Sequence, residues 1–245
     1  LYILPENNIK MNQGNIQLTT LNSIDCNFYI NKMENLSNYI KNYHNQFLGE
    51  YPPTRNDFYL YGREVGHGAF GKVNLSLHVE SGQLVAIKIF NKNNLKRKNA
   101  KQKIKNEIEM LGKLRHPFIC QILDSFKTET HIFIVMEYVC SDLLHFIKKR
   151  GKLSETVSKI IFKQLIEGLQ YIHHKKIVHR DIKFENIFID LNNTIKICDF
   201  GVSRKISQNE IMHEHCGTPA YIAPEIFENL GYQGFQCDIW SAGVT

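Results

Sequence analysis

The residues best suited to chemistry are a glycine run, a lysine in an apolar stretch, and a set of oxygen donors. The run Gly66-His67-Gly68-Ala69-Phe70-Gly71-Lys72-Val73 can bring backbone N–H groups against a phosphate, because glycine has no Cβ in the way. Lys88 ends the stretch Val85-Ala86-Ile87-Lys88 and offers a cation. Farther on, His179-Arg180-Asp181-Ile182-Lys183-Phe184-Glu185-Asn186 and Asp199-Phe200-Gly201 supply carboxylates, an amine and an amide. Asn186 and Asp199 carry the hard oxygens that suit Mg2+, which takes one or two protein oxygens beside phosphates and water. Asp181 can orient a hydroxyl, and Lys183 can offset charge on a moving phosphoryl group. A lone G-x-G-x-x-G is weak evidence. Here Val73-Asn74-Leu75-Ser76-Leu77 follows, strand-like rather than helical, which argues against a dinucleotide-binding turn and for a hairpin over phosphates.

The flanking patterns say what must position these groups. Tyr59 to Val65, Lys72 to His78 and Leu84 to Phe90 read as strands, with a turn at Glu80-Ser81-Gly82-Gln83. In the third strand Ala86 and Lys88 share one face, Val85 and Ile87 the other. A small residue beside the amine suits a roof over a base whose phosphates the amine reaches. A buried ammonium needs a counter-charge, and Glu107 on the next helix is the natural partner; Glu109 faces away. That helix spans about Lys96 to Leu114, with Ile104, Ile108, Leu111 and Leu114 along one face. Ile119 to Phe126 and His131 to Met136 complete a small antiparallel sheet.

After Cys140 the pattern turns helical: Asp142 to Arg150, then Ser154 to His174 with Ser154 as N-cap. Short strands, Ile187 to Asp190 and Thr194 to Cys198, flank the Asn192-Asn193 turn, and a last helix starts near Asp238. Upstream of Tyr51-Pro52-Pro53 the chain is rich in Asn and poor in Ala and Val, a bias toward poor order. Within it Ile30, Met33, Leu36, Ile40, Tyr43 and Phe47 recur at helical spacing, so one amphipathic helix could dock on the following domain or stay frayed.

A net charge of +6 is modest, and much of it lies between Lys96 and Lys105. This run reads as the solvated face of a helix rather than a nucleic-acid surface. The six cysteines form no C-x-x-C pair, so no zinc site or redox motif is expected; scattered thiols suit a reducing, intracellular compartment, cytoplasmic or nuclear. No stretch is long and apolar enough to span a bilayer.

The ordered motifs resemble those of eukaryotic protein kinases of the Ser/Thr type. Val135-Met136-Glu137-Tyr138-Val139 and Cys216-Gly217-Thr218-Pro219 are similar to the calmodulin-dependent and AMP-activated group. The resemblance implies an α+β, bilobal protein kinase-like fold: an N-terminal extension over 1–55, then a kinase domain over 56–245. The latter divides into a small antiparallel β lobe (56–136), a hinge (137–139) and an incomplete helical lobe (140–245). It implies transfer of the γ-phosphoryl of ATP, with Mg2+, to Ser/Thr hydroxyls of protein substrates. On this likeness Asp181, Lys183, Lys88 and Glu107 are catalytic, and Asn186 and Asp199 hold the metal. Gly66, Gly68, Gly71, Val73, Ala86, Lys88, Glu137, Val139 and Phe188 contact the nucleotide.

Several finer implications follow from the same likeness. Leu111, Ile122, His179 and Phe200 form a stacking column with Asp238 at its base, and Met136 is the gatekeeper. Phe188 replaces the usual leucine and Phe184 the usual proline. Glu185, aided by Asp142, would favour a basic residue upstream of the target serine, and Thr218 would contact the catalytic loop. Glu214 stands where relatives carry a phosphorylatable threonine, so its carboxylate would pair with Arg180 in place of phosphate. Such kinases continue past Asp238-Ile239-Trp240-Ser241-Ala242-Gly243-Val244, and the arginine that pairs with Glu225 is expected there. Two other readings stay open: a nucleotide-holding pseudokinase or scaffold, and a fragment inactive in isolation.

Overall fold

The computed structural model describes residues 23–47, 58–67, 71–95, 98–190, 192–207, 209–228 and 230–245. Helix α1 (Ser23–Gln46) precedes strands β1 (Tyr59–His67), β2 (Lys72–His78) and β3 (Leu84–Asn91). Helix α2 (Lys98–Gly112), β4 (Ile122–Lys127) and β5 (His131–Glu137) complete the first lobe. The second holds β6 (Ser141–Asp142), α3 (Leu143–Arg150), α4 (Glu155–His174), β7 (Ile177–Val178), β8 (Ile187–Ile189) and β9 (Ile195–Ile197). It continues through β10 (Arg204–Lys205), β11 (Ile211–Met212), β12 (Tyr232–Gln233) and α5 (Gly234–Val244).

The first lobe is a five-stranded antiparallel sheet in the order β1-β2-β3-β5-β4. The two-residue alternation of β3 decides what each face sees. Val85, Ile87 and Ile89 pack with Tyr59, Tyr61, Phe126, Phe133 and Val135. On the other face Phe90 packs with Ala100 and Ile104 of α2 and with Leu95, Ile132 and Ile134. Lys88 and Ala86 continue that row and are half-buried.

Helix α1 docks on this sheet. Ile40 is fully buried in a cluster with Leu75, Leu77 and Leu84, to which Leu36, Tyr39, Leu60 and Tyr138 add cover. Burying one such side chain is worth about 1.5–3 kcal/mol. Of the expected stripe, Leu36 and Ile40 thus lie on the sheet; the side chains of Ile30 and Met33 fall outside the described part.

The second lobe is built on α4. Ser154 caps it by accepting from the Val157 N–H at 3.4 Å, and Asp142 caps α3 by accepting from the His145 N–H at 2.8 Å. Ile161, Leu165, Leu169 and Ile172 of α4 pack against Ile187 and Ile189 of β8 and Ile195 and Ile197 of β9. The strands that carry the catalytic and metal-site loops therefore rest on one helix.

Some boundaries differ from expectation. Helix α2 starts at Lys98 and ends at Gly112; residues 96–97 lie outside the described part. Ile119 is in no strand but makes a parallel bridge to Ile197. Asp142 is a cap rather than the first helical residue. The last helix begins at Gly234, not near Asp238, with no side-chain cap to announce it. Five two-residue strands, β6, β7, β10, β11 and β12, were too short to show a period. Among the described residues no helix is long and apolar enough to cross a membrane.

Candidate active site

Lys88 projects from β3 toward α2, where its ammonium donates to both carboxylate oxygens of Glu107, at 2.8 and 2.9 Å. The side chains are only 16% and 4% exposed, so this is a desolvated pair. The Asp199 carboxylate stands 3.8 Å from the same ammonium. Burial pulls the lysine toward its neutral form, but Glu107 and Asp199 overcome it and hold its pKa above the ordinary value. For Glu107 burial outweighs the pull of Lys88, and its carboxyl sits above its usual range. As expected, Glu109 faces elsewhere and pairs with Lys113 at 2.7 Å.

Across the cleft, Asp181 is held by three side chains. Thr218 donates its hydroxyl to Oδ1 at 2.7 Å. Lys183 lies 3.0 Å from Oδ2 and also donates to the Thr218 hydroxyl at 2.8 Å. Asn186 donates its amide to Oδ2 at 3.0 Å and to the Asp181 carbonyl at 2.8 Å. Burial raises the Asp181 pKa, but Thr218 and Lys183 more than reverse it, so the carboxyl is held below the ordinary aspartate value. With both donor contacts of Asn186 turned to Asp181, its other amide atom must be oxygen. That oxygen and the half-exposed Asp199 carboxylate are hard donors of the kind that could hold Mg2+ beside phosphate oxygens.

His179 and Asp238 fix these loops. The fully buried His179 ring packs edge-on against Phe200, with centroids 4.8 Å apart. Its Nε2 contacts the Cys198 carbonyl at 2.9 Å and so must carry the proton, which leaves Nδ1 to accept from the Asp181 N–H at 3.3 Å. One ring thereby ties the residue before Asp199 to Asp181. The Asp238 carboxylate accepts the His179 and Arg180 N–H groups, each at 2.8 Å, and meets His173 Nε2 at 2.8 Å. Arg180 and Asp199 both sit at positive φ, 69° and 60°, a region few non-glycine residues occupy. Leu111 and Phe200 are buried in one cluster, with Ile122 packed on it, as the stacking column requires.

The nucleotide candidates fall on both sides of the cleft. Gly66 pairs with Val73 at the root of the β1–β2 hairpin. Gly68, with residues 69–70, lies outside the described part. Gly71 has a packing reason to be glycine: a Cβ there would run into the Ile89 carbonyl oxygen and the Phe90 ring. Val73 lies opposite Lys88, Ala86 opposite Met136, and Phe188 opposite Lys196; Val73, Ala86 and Phe188 are half-buried. Val139 is buried. The Glu137 side chain is committed to structure, accepting from the Gln121 N–H at 2.7 Å and pairing with Lys196 at 3.0 Å. The Glu137 N–H is committed as well, donating to the Gln121 carbonyl at 3.0 Å, which leaves its carbonyl as the group to meet a base.

Two groups, Arg204 and Asn106, had no signal in the motifs. Arg204 donates to Glu214 at 2.6 Å and also pairs with Glu210, while Arg180 is more distant from Glu214, at 3.9 Å. Asn106, beside Glu107 on α2, donates to the carbonyls of Phe200 and Ser203. Glu225 accepts a long contact from the Cys237 thiol at 3.6 Å. Each pairing spans loops whose approach only the fold creates.

Comparison with known proteins accords with this geometry. The protein kinase domain family matches residues 59–245. CBL-interacting serine/threonine-protein kinase 13 of Arabidopsis thaliana is 41% identical over 191 residues, covering 77% of this chain and 38% of the relative. SNF1-related protein kinase catalytic subunit alpha KIN12 of the same plant is 42% identical over 187 residues (76% and 38%). The carbon catabolite-derepressing protein kinase of Saccharomyces cerevisiae is 40% identical over 182 (74% and 29%). The chain spans less than half the length of these curated relatives. With the family match covering most of its length and the Lys88–Glu107 pair beside Asp199, the chain belongs to the protein kinase domain family.

Proposed function

We propose that this chain transfers the γ-phosphoryl group of ATP to serine or threonine hydroxyls of protein substrates. The observation that carries the reading is the closed Lys88–Glu107 pair with Asp199 3.8 Å from the same ammonium. This puts a cation where α- and β-phosphates would lie and a metal-ligating carboxylate beside it. Bound between Asn186 and Asp199, Mg2+ would supply charge neutralisation on the β- and γ-phosphates. Asp181, kept ionised by Thr218 and Lys183, accepts the substrate hydroxyl proton and aims that oxygen in line. Lys183 sits close enough to offset charge that builds on the transferred group. Val73, Ala86 and Phe188 sandwich the base, and the backbone of Glu137 and Val139 reads its edge.

The substrates we infer are proteins with a basic residue upstream of the target, read by the exposed carboxylate of Glu185 with help from Asp142. Glu214 stands in for an activating phosphate, and its contacts with Arg204 and Arg180 support this. The scattered thiols fit a reducing cytoplasmic or nuclear location. The test is turnover of Mg-ATP with a Ser/Thr peptide library beside Asp199→Asn. Wild-type transfer that Asp199→Asn abolishes is the expected result. Nucleotide binding without transfer, equal in both proteins, would replace this reading with that of a pseudokinase.

A further inference from the structure

Strand β1 does not run smoothly into the glycine hairpin. Its register against β2 shifts between Tyr61 and Glu64 and again between Glu64 and Gly66. A bulge of this kind bends a strand and leaves ladder groups without their regular partners. One side chain fills the gap: the buried Asn74 donates its amide to the Gly62 carbonyl at 2.9 Å. Just before the shift, the N–H of Tyr61 faces away from β2, as strand alternation places it on the outer edge of the sheet, and is donated to Nδ1 of His44, on helix α1, at 3.1 Å. Gly62 admits the helix: a Cβ there would lie 3.0 Å from Ile40 Cγ1 and 2.8 Å from the Leu75 carbonyl oxygen.

We infer that α1 is a positioning element for nucleotide binding: His44 on the edge N–H of Tyr61 and Ile40 against Gly62 grip β1 where its register shifts, and so set the direction in which the strand reaches Gly66. The contact joins residues 17 apart in sequence and ties α1 to the sheet by a hydrogen bond as well as by apolar packing. Ile40 sets the depth of the helix, and the same cluster reaches Tyr138 in the hinge, so α1 braces the nucleotide lobe at both borders of the base site. Helix α1 lies upstream of the residues that match the kinase family, which begin at 59, so this brace is outside the shared domain. The inference rests on the Mg-ATP site proposed above. His44 is a positioning residue, not a catalytic one.

The test is made in the whole chain. His44→Ala should raise the KM for ATP, and the Kd of a non-hydrolysable ATP analogue, about three- to tenfold, the worth of one hydrogen bond. At saturating ATP, kcat and the KM for peptide should stay as in wild type. His44→Asn, whose carbonyl oxygen can accept in place of Nδ1, should restore ATP affinity. Ile40→Asp, which lifts the helix, should give the same split with a larger rise. Exchange of the Tyr61 amide hydrogen should quicken in His44→Ala and Ile40→Asp but not in His44→Asn. Unchanged nucleotide affinity and Tyr61 exchange in His44→Ala would overturn the inference. So would equal losses in the Ala and Asn variants, or a fall in kcat at constant KM. Analogue affinity and amide exchange are read without turnover, so a protein that binds but does not transfer would sink the kinase reading and leave this one to be judged separately.

Discussion

Two ion-paired regions flank the cleft and differ in burial. Lys88 and Glu107 are 16% and 4% exposed and joined by two hydrogen bonds. Arg204 and Glu214, on the segment after Asp199, are 37% and 55% exposed and share one carboxylate with the more distant Arg180. The chemistry of the partners is the same, but the consequence is not. A buried pair that loses one member leaves a charge stranded away from water, whereas an exposed one leaves a charge that water solvates. The first region is a fixed part of the site. The second can be made and unmade at little cost.

The sharpest way to break this comparison is Lys88→Met. It should abolish phosphoryl transfer and cost about 3–5 kcal/mol in denaturant unfolding, because Glu107 is left buried alone. Adding Glu107→Leu should recover most of the stability and none of the activity. If the single variant is as stable as wild type, the pair is not desolvated and the contrast fails.

An intermediate case sharpens it. Asp181 and Lys183 are 15% and 20% exposed, and Thr218 bridges them. Because the Asp181 pKa is depressed in the fold, its stabilising contribution is complete above the ordinary value of 3.8 and is lost as pH falls through the lower folded value. Thr218→Val should therefore narrow its stability deficit as pH drops below that range, and the acid limb of kcat should move upward. Unfolding curves and rates measured across pH check both; a pH-independent deficit would assign Thr218 a packing role only.

The smallest effect belongs to the exposed pair. Glu214→Ala should lower activity of unphosphorylated protein several-fold while changing stability by about 0–1 kcal/mol. Burial raises the Glu214 pKa, but a backbone hydrogen bond and then the Arg204 and Arg180 charges lower it, with a net depression, so the carboxylate stays ionised at neutral pH. Full activity in Glu214→Ala would show that the carboxylate does not replace a phosphate.

How much of this was legible in sequence follows from what each feature depends on. Lys88, Glu107, Asp181, Asn186 and Asp199 could be picked out because their type and spacing are themselves the signal. The alternation of Val85, Ala86, Ile87 and Lys88 foretold the two faces of β3, since a two-residue period survives in any sheet. His44 could not be read, because its acceptor role exists only where α1 lies along the open edge of β1 and meets the outward N–H of Tyr61. Arg204 was invisible for a similar reason: its partner lies ten residues on, across a turn with no helical period. The commitment of the Glu137 side chain to Gln121 and Lys196 likewise depends on β5 passing the loop before β4. The early start of α5 left no trace, because Gln233 makes no capping bond.

Asn106 and Glu107 are neighbours on α2, yet one grips the chain just beyond Asp199-Phe200-Gly201 and the other grips Lys88. A rigid rod with two adjacent hooks cannot release one and keep the other once it swivels. If Lys88 binds phosphate as proposed, the helix would act as a coincidence detector: that cation and the downstream segment would be engaged together or let go together, and activity would toggle rather than fade.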